Sequence, residues 1–368
     1  MGVNKMELSY KLFTQDTLAD VQQLVAARFG EGGCKMAKHL LKNPLLMDGG
    51  GAAGDIAYRD GRPVCFMATM VRRAYLGHET LLCSVGGMFC KAERGCPLPA
   101  MIEVMERMGG DHYGCSYGFG NTSSPTAWGV NKEIGGVLGP ATWLRSRFRV
   151  IHPIGLALGG FRRKILRQLP PVWKREDVAE VDGVVLFKSG DGVEVIRLKG
   201  IEAQDFDAFW EKYLLGNKGF VISRTSAELE WVFGERIREG RCLVFAAYSG
   251  DVMMGWMIIS PFKKSPRRWI IVDCLALNND KDILLAMSRA VVKFLKTRTN
   301  AWTLETRGFP MWFDSVIKRV LPFTIRHKDN PYFYFPQQNE ISNRICMALN
   351  QSESWFFGLY DGDGCMCV

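Results

Sequence analysis

Apolar residues recur along this chain with the spacing of helices in some segments and of strands in others. The first 150 residues read as a strand, helices, a hairpin turning at Asp60-Gly61, a nearly continuous apolar strand, a helix, a strand, a short helix and a last strand. The segments, in that order, are ELSYKLF, TQDTLADVQQLVAARFG with CKMAKHLLKN, GDIAYRDGRPVCFMATMVRR, TLLCSVGGMFCKA, PLPAMIEVMERM, HYGCSYGFG, SPTAWGVNKEIGG and ATWLRSRFRVI.

The same order of elements begins again near residue 193. It runs through a hairpin at Gly250-Asp251, a buried strand WIIVDCLALN, a helix DKDILLAMSRAVVKFLKTRT, a strand AWTLETRG, a short helix and the closing strands FTIRH and PYFYF. This repetition predicts a structural duplication. We therefore expect an α/β protein with mixed sheets in two similar domains, residues 1–150 and 193–368, joined by a basic amphipathic linker, residues 151–192.

Composition narrows the class of protein. Hydrophobic residues make up 47% of the 368 residues, enough for a large core, and no apolar run approaches the length of ~18 residues that a membrane span needs. The 11 cysteines are scattered and odd in number, which indicates thiols in a reducing cytoplasm. No C-x-x-C pair occurs and the five histidines lie far apart, so we expect no metal site.

A net charge of +9 favours a polyanionic partner. The most basic stretch is FRRKILR, residues 161–167, within the linker. It predicts contact with an anionic membrane surface or with tRNA, so the cytoplasmic protein would be peripheral at the membrane in the first case. The alternative is a linker helix whose arginines face water.

The most informative segment is the corner FCKAERGCPLPAMIEVM, residues 89–105, where a buried strand turns into a helix. The free N–H groups and the dipole at a helix N-terminus form an anion site, so Arg94, Gly95 and Cys96 are candidates for binding a phosphate. The alternative is a plain strand-to-helix corner that begins its helix with proline.

With this corner, the order of elements resembles the GNAT superfamily of acyl-CoA-dependent N-acyltransferases, present twice in tandem. In that family the fourth strand leads into a loop Q/R-x-x-G-x-G/A, and Arg94 to Pro99 stand at that place. The resemblance implies an acyl-CoA co-substrate, with acetyl-CoA the first expectation, and backbone N–H groups near Met88 and Cys90 that receive the thioester oxygen. It also implies a cofactor contact at Asn121, for which the alternative is a residue that tolerates a left-handed turn.

The sequence departs from the family in three places. Pro97 and Pro99 replace small residues and contribute no N–H donor. Asn131 stands where the family has the tyrosine that protonates the leaving thiolate, so Tyr117 or Tyr113 would have to supply that acid. In residues 193–368 the helix after the buried strand begins with NDKDILL, whose aspartates would repel a pyrophosphate, and we expect this domain to be degenerate for CoA.

Three carboxylates are candidates for the base that deprotonates an attacking amine. Glu93 follows the buried strand, while Asp273 and Glu305 lie within apolar strands, where an unpaired charge is costly. The alternatives are a solvated turn for Glu93 and pairing with a nearby arginine such as Arg307 for the other two.

These observations predict an acyltransferase that moves an acyl group from acyl-CoA to an amine on an amino sugar, a glycan precursor or an amino acid. A non-catalytic GNAT-like protein that binds a ligand or a partner remains an alternative, as does a tRNA-dependent aminoacyltransferase of the Fem type. The segment WFFGLYDGDG also resembles a tail of polysaccharide-linked double-GNAT proteins.

Overall fold

The computed structural model describes residues 7–47, 52–93, 95–108, 113–121, 125–139, 145–157, 183–190, 192–262, 265–326, 332–336, 339–350 and 355–356. Two mixed sheets form the centre of this structure, one of nine strands and one of eight. The predicted basic stretch 161–167 and the tail 357–368 lie outside the described residues.

The strands of the first sheet come mainly from the first half of the chain. They are β1 Leu8–Leu12, β2 Gly54–Arg59, β3 Arg62–Leu76, β4 Glu79–Lys91, β5 Tyr117–Asn121, β6 Val137–Leu138, β10 Phe220–Ile222, β16 Tyr332–Pro336 and β17 Trp355–Phe356. Their order is β1-β2-β3-β4-β5-β16-β6, and β10 pairs with β3 and with β17. The helices of this part are α1 Leu18–Leu40, α2 Pro44–Met47, α3 Leu98–Arg107 and α4 Pro125–Glu133.

The strands of the second sheet come mainly from the second half. They are β7 Arg145–Val150, β8 Val185–Lys188, β9 Val193–Leu198, β11 Leu243–Ser249, β12 Val252–Phe262, β13 Ser265–Ala276, β14 Thr303–Arg307 and β15 Phe323–Arg326. Their order is β15-β7-β14-β13-β12-β11-β9-β8. The helices are α5 Ala203–Gly216, α6 Ser226–Leu229, a π-helical turn Glu230–Gly234, α7 Glu235–Arg238, α8 Lys281–Arg298, α9 Met311–Ile317 and α10 Glu340–Asn350.

Local sequence signals place the predicted turns correctly. Asp60 and Gly61 both have positive φ angles, 51° and 75°, the conformation that a two-residue hairpin of Asp-Gly type requires. The two helical stretches predicted before Pro44 form one long helix, α1, which is broken at Gly30 (φ 62°, ψ −153°). Glycine adopts this conformation without strain, so the change of direction falls there.

The two closing strands are exchanged between the sheets. β7, predicted to close the first 150 residues, pairs antiparallel with β14 and β15 in the second sheet. β16, predicted to close the chain's second part, pairs antiparallel with β5 and β6 in the first. Strand periodicity tells which face of a strand is buried but not which of two equivalent sheet edges it joins, and so the sequence placed both strands with their nearer neighbours.

Helices cover both faces of the first sheet. α1 packs on β3 and β4, while α3 packs on β2 and β3 from the opposite face. The short strand β10 joins the far end of β3, with all three of its side chains buried. The part of the chain that forms most of the second sheet therefore also contributes a strand, β10, to the first sheet. The hydrophobic core runs without interruption from one sheet to the other.

Candidate functional site

The parallel pair β4–β5 ends in the middle of the first sheet. The described ladder between these strands runs from Cys83 opposite Tyr117 to Gly86 opposite Gly120, whereas β4 continues to Lys91. The second sheet has the same arrangement, because the parallel ladder β13–β14 ends at Ile271 opposite Thr306 while β13 continues to Ala276. In each sheet one strand, β4 or β13, thus continues beyond the end of its parallel ladder and leads to a helix.

A β-bulge marks the same place in both sheets. In the first sheet Met67 lies opposite Phe89 and Thr69 lies opposite Gly86, so Gly87 and Met88 are accommodated opposite Ala68. In the second sheet the register shifts at Val272. A bulge interrupts the regular ladder and redirects local backbone groups, which is why bulges are frequent beside active sites. The predicted oxyanion contact near Met88 coincides with this bulge.

Small residues distinguish the first bulge from the second. The parallel ladder ends at Gly86, which is followed by Gly87, in the first sheet, and at Ile271, which is followed by Val272, in the second. A Cβ atom at Gly86 would meet the Met108 sulfur at 1.9 Å, so the glycine lets the segment that follows α3 pack directly on β4. Ser84 strengthens the same contact by donating a hydrogen bond to the Met108 carbonyl (2.6 Å).

The corner after β4 folds back over the turn end of the β2–β3 hairpin. The Ala92 N–H donates to the Val64 carbonyl (2.9 Å), and the Arg59 guanidinium donates to the Gly95 carbonyl (3.3 Å). Gly95 has a φ of 84°, a conformation that favours glycine. The loop is therefore attached to the sheet before it reaches the start of α3.

The N-terminus of α3 has few N–H donors. Pro97 is the N-cap residue and provides no capping side chain, and Pro99 has no N–H. The amides of Ala100 and Met101 both donate to the Pro97 carbonyl. Leu98, whose side chain is 56% exposed, is then the residue of the first helical turn that can offer an N–H to a ligand.

The other residues predicted at this corner have different surroundings. Glu93 and Gly95 are exposed and Cys96 is half-buried, whereas Arg94 lies outside the described residues. Met88 is half-buried in the bulge, and Cys90 is buried on the side of α1, where burial raises the pKa of its thiol to about 12. Asn121 is the last residue of β5, opposite Tyr332, and nothing more of its surroundings is described.

Tyr117 lies in an aromatic cluster rather than at a surface. Its ring stacks on Tyr334 (5.8 Å between centroids) and contacts Phe119 and Phe220. Its hydroxyl lies 3.8 Å from the Cys346 sulfur, and burial raises its pKa well above the ordinary value. A tyrosine held in this way releases its proton less readily than an exposed one.

A buried carboxylate that the sequence pattern did not single out lies beneath α3. Asp55 on β2 accepts a hydrogen bond from the Tyr113 hydroxyl (2.5 Å) and lies 3.6 Å from the Arg107 guanidinium. Burial, then the Asp55 charge, raises the Tyr113 pKa far above its usual range. The cluster fixes both ends of the segment after α3 to the sheet. An aspartate in the otherwise apolar run GDIAY was the signal for it.

Asp273 follows the second bulge and is fully buried in an ion pair. Arg224, from the loop after β10, donates to its two carboxylate oxygens at 2.9 and 3.2 Å and to the Ile222 carbonyl at 2.5 Å. Both side chains are 0% exposed. The partner is thus Arg224, and the expected alternative partner Arg307 is not the residue that holds this carboxylate.

Glu305 has a similar arrangement on β14. Its carboxylate accepts two hydrogen bonds from Arg268 on the neighbouring strand, both at 2.8 Å, and a third from the Thr303 hydroxyl (3.1 Å). Glu305 is nearly buried while Arg268 is partly exposed. The structure therefore does not bring the four predicted catalytic residues together: Glu93 and Tyr117 belong to the first sheet, and Asp273 and Glu305 to the second.

The helix after β13, α8, has a side-chain cap at its N-terminus. The Asp280 carboxylate accepts hydrogen bonds from the amides of Asp282 (2.8 Å) and Ile283 (3.1 Å). A carboxylate at this position uses the N–H groups that an anionic ligand would need and adds negative charge. The equivalent corner of the first sheet, at the start of α3, has no side-chain cap.

Neither a metal cluster nor a membrane-spanning helix occurs among the described residues. Within them, no group of three or more His, Cys, Asp or Glu side chains is placed to hold a metal ion. None of their helices combines the length and the apolar character needed to cross a membrane.

Comparison with known proteins identifies the fold. No protein-family model matches the sequence, and no curated protein sequence matches it. Solved structures do match: a GCN5-related N-acetyltransferase from Kribbella flavida is 13% identical, with a TM-score of 0.55 over 91% of this chain and 72% of that one. Saccharomyces cerevisiae N-myristoyltransferase with bound myristoyl-CoA is 10% identical, with a TM-score of 0.50 over 92% and 81%. A candidate acetyltransferase from Pyrococcus horikoshii is 11% identical, with a TM-score of 0.50 over 98% and 99%. The chain therefore has the GNAT-type fold over most of its length, as predicted.

Proposed function

We propose that this protein is an acyl-CoA-dependent acyltransferase whose co-substrate binds to the first sheet, where β4 leaves β5. The observation that carries the proposal is a combination of three features along β4 and the helix that follows it: the end of the parallel ladder at Gly86, the bulge at Gly87 and Met88, and the N-terminus of α3, which has no side-chain cap. In this proposal the thioester arm lies where β4 leaves β5, and the helix N-terminus receives the pyrophosphate. The structural neighbours include acetyl- and myristoyltransferases, which supports acyl transfer in general.

The second sheet lacks this combination in the residues that the structure describes. Its bulge is followed by the buried pair Arg224–Asp273, and the helix after β13 is capped by Asp280. An anion at that corner would meet negative charge and occupied N–H groups. One acyl-CoA per chain is therefore the expected stoichiometry, with residues 193–368 shaping the acceptor side.

In the proposed reaction the amine attacks the thioester directly, without an enzyme nucleophile. Backbone N–H groups at the bulge, near Met88, would stabilise the negative charge that develops on the thioester oxygen, the effect that usually contributes most to such a reaction. Tyr113 and Tyr117 are poor candidates for protonating the leaving thiolate, because burial raises the pKa of both. Solvent would then supply that proton. An acetyl group and an amine on an amino sugar, a glycan precursor or an amino acid remain the first choices for donor and acceptor.

Calorimetric titration with CoA tests the binding site. Leu98→Pro removes one N–H donor at a helix position that tolerates proline, and Leu98→Ala removes the same exposed side chain while keeping the donor. We expect the wild type to bind one CoA per chain, Leu98→Pro to bind about tenfold more weakly, and Leu98→Ala to match the wild type. Equal affinities for the two variants would place the phosphate elsewhere, and no binding by the wild type would refute the acyl-CoA proposal.

A second candidate function is binding of acyl-CoA without turnover. It is favoured by the surroundings of the predicted acids and bases. Asp273 and Glu305 form ion pairs, Tyr117 lies in an aromatic cluster, and Tyr113 donates a hydrogen bond to Asp55, while Glu93 is exposed. Incubation with radiolabelled acetyl-CoA and a panel of amino sugars and amino acids separates the two. Label transferred to an amine supports the enzyme, whereas stoichiometric binding without transfer supports the binding protein. Fem-type, tRNA-dependent transfer and contact with a membrane through residues 161–167 stay predictions from the sequence.

A further inference from the structure

Three arginines in and around the second sheet hold carboxylates in the same way. In each, the Nε and Nη2 atoms, which form one edge of the planar guanidinium, donate to the two oxygens of a single carboxylate. The pairs are Arg147 with Asp314 (2.5 and 2.7 Å), Arg224 with Asp273 (2.9 and 3.2 Å) and Arg268 with Glu305 (2.8 Å for both bonds). The Nε/Nη2 edge is thus the carboxylate-binding edge throughout this part of the molecule.

Arg307, on β14, has the same edge but no carboxylate on it. Its Nε and Nη2 atoms are buried, and neither finds a hydrogen-bond acceptor among the residues that the structure describes. The residue as a whole is partly exposed. A charged donor kept from water without an acceptor is costly, and such a group in a native structure calls for a bound species or a function to account for it.

The duplicated strand order places Arg307 where the first sheet has Asn121. The parallel ladder β4–β5 ends at Gly120, which Asn121 follows, and the ladder β13–β14 ends at Thr306, which Arg307 follows. Arg307 therefore lies at the point where β13 leaves β14. This point corresponds to the proposed acyl-CoA site and belongs to the half of the chain that the proposed function assigns to the acceptor.

The strands beside Arg307 offer an apolar surface. Arg307 lies opposite Ser146 on β7, and Ser146 lies opposite Ile325 on β15, so the three side chains share one face of the sheet. On that face Ile325 is 40% exposed and Phe323, two residues earlier, is 52% exposed. The Phe323 ring also contacts the ring of Phe148 (5.2 Å between centroids). Exposed apolar side chains thus lie within two strands of the guanidinium.

We propose that Arg307 binds the carboxylate of an amino-acid acceptor whose apolar side chain lies against Phe323 and Ile325. Nε and Nη2 would each donate to one carboxylate oxygen, as in the three pairs of the same region. Both atoms are closed to solvent in the ligand-free protein, so the ligand displaces the atoms that cover them. Among the acceptors considered above, an amino acid fits this site and a neutral amino sugar does not, because the sugar has no carboxylate.

Calorimetric titration of the full chain with matched compounds tests the site. L-Phenylalanine and 3-phenylpropionate both carry a carboxylate and an aromatic ring, whereas 2-phenylethylamine carries the ring and an amine without a carboxylate. We expect the two carboxylates to bind saturably and 2-phenylethylamine to bind at least about tenfold more weakly, because it cannot accept the two charged hydrogen bonds. No saturable binding of either carboxylate at millimolar concentration, or equal affinity for the amine, would overturn the proposal.

Variants at Arg307 separate ligand binding from support of the fold. Arg307→Met removes the guanidinium and should bind L-phenylalanine about tenfold more weakly, while Arg289→Met, at an exposed position of α8, should match the wild type. The urea midpoint of Arg307→Met should be no lower than that of the wild type, because the lost donors have no acceptor in the ligand-free protein. Unchanged affinity in Arg307→Met would overturn the proposal. A loss of affinity that comes with a lower urea midpoint would assign Arg307 to the fold and would overturn it as well.

The role of the ligand as acceptor rests on the proposed function, whereas carboxylate binding at Arg307 does not. If L-phenylalanine binds and CoA does not, the carboxylate site stands and the proposed function fails. If CoA binds and neither carboxylate does, the proposed function stands and the assignment of Arg307 fails. With radiolabelled acetyl-CoA we expect label on L-phenylalanine, and label on glucosamine alone would overturn the assignment of an amino acid as acceptor.

Discussion

The two sheets share a strand order and a bulge at the same place, yet they differ in the residues beyond the bulge. Two residues after the last pair of the parallel ladder, the first sheet has Met88 and the second has Asp273. Met88 is an apolar, half-buried side chain in its bulge, whereas Asp273 forms a buried ion pair with Arg224 beside the second bulge. One backbone arrangement thus serves either as a candidate ligand site or as a buried structural junction, and the side chains decide between them.

The helix after each bulge shows the same contrast. α3 begins with prolines and leaves its first turn without a side-chain cap, while α8 begins under the carboxylate of Asp280. An N-terminus that satisfies its own N–H groups is stable without a ligand, and one that does not can be completed by an anion. The second sheet therefore gains a stabilising cap at the position where the first sheet leaves N–H groups for the proposed ligand.

The largest effect should come from breaking the buried pair of the second sheet. Asp273→Asn leaves the fully buried Arg224 guanidinium without its counter-charge, which should lower the free energy of unfolding by about 3–5 kcal/mol. Met88→Leu, at the corresponding place of the first sheet, conserves volume and should cost less than about 1.5 kcal/mol. Urea denaturation of both variants checks this difference, and similar losses would contradict the distinction between the two bulges.

The double variant Arg224→Met with Asp273→Leu sharpens this result. Removing both charges avoids an unpaired buried ion, so the double variant should recover at least about 2 kcal/mol relative to Asp273→Asn in the same denaturation experiment. A double variant no more stable than Asp273→Asn would mean that the site depends on hydrogen bonds rather than on charge pairing.

A smaller effect is expected at the N-terminus of α8. Asp280→Ala removes the acceptor for two backbone amides and should lower the free energy of unfolding by about 1 kcal/mol. Lys281→Ala, a change at the neighbouring exposed residue, is the control and should give no measurable loss. CoA titration of Asp280→Ala should still give one site per chain. A second site in this variant would show that only the cap separates the two corners.

The smallest effect concerns the junction between the sheets, where His39 of α1 stacks on Trp231 of the π-helical turn (5.6 Å between centroids). Burial lowers the pKa of His39, with Lys42 and Arg236 adding to this and Glu235 opposing it. The neutral ring is preferred in the folded protein, so stability is complete above pH 6.5 and declines as pH falls below 6.5, where the unfolded chain takes up the proton first.

The check for this junction is denaturation between pH 7.5 and pH 5.5, the acidic side lying below the ordinary histidine pKa of about 6.5. His39→Gln should lose less stability over this range than the wild type, while His78→Gln, in the turn between β3 and β4, should behave like the wild type. An unchanged slope in His39→Gln would show that His39 does not couple folding to pH.

Much of the fold was predictable because its signals are local. The Asp60-Gly61 hairpin, the long apolar run of β4 and the proline-started helix α3 follow from turn chemistry, side-chain period and helix capping, each of which acts within a few residues. The strand-to-helix corner was located for the same reason. The sequence did not distinguish one helix broken at Gly30 from two separate helices, because glycine occurs both at the ends of helices and at kinks within them.

The sequence by itself determined the order of elements, the repetition of that order and the position of the corner between β4 and α3, since these depend on near neighbours in the chain. Only the tertiary structure decided that β7 and β16 exchange sheets, that Asp273 meets Arg224 and that Glu305 meets Arg268. Each of these contacts joins segments that are distant in the chain or equivalent in pattern. Their pairing is selected by packing and desolvation in the folded core, which no local period records.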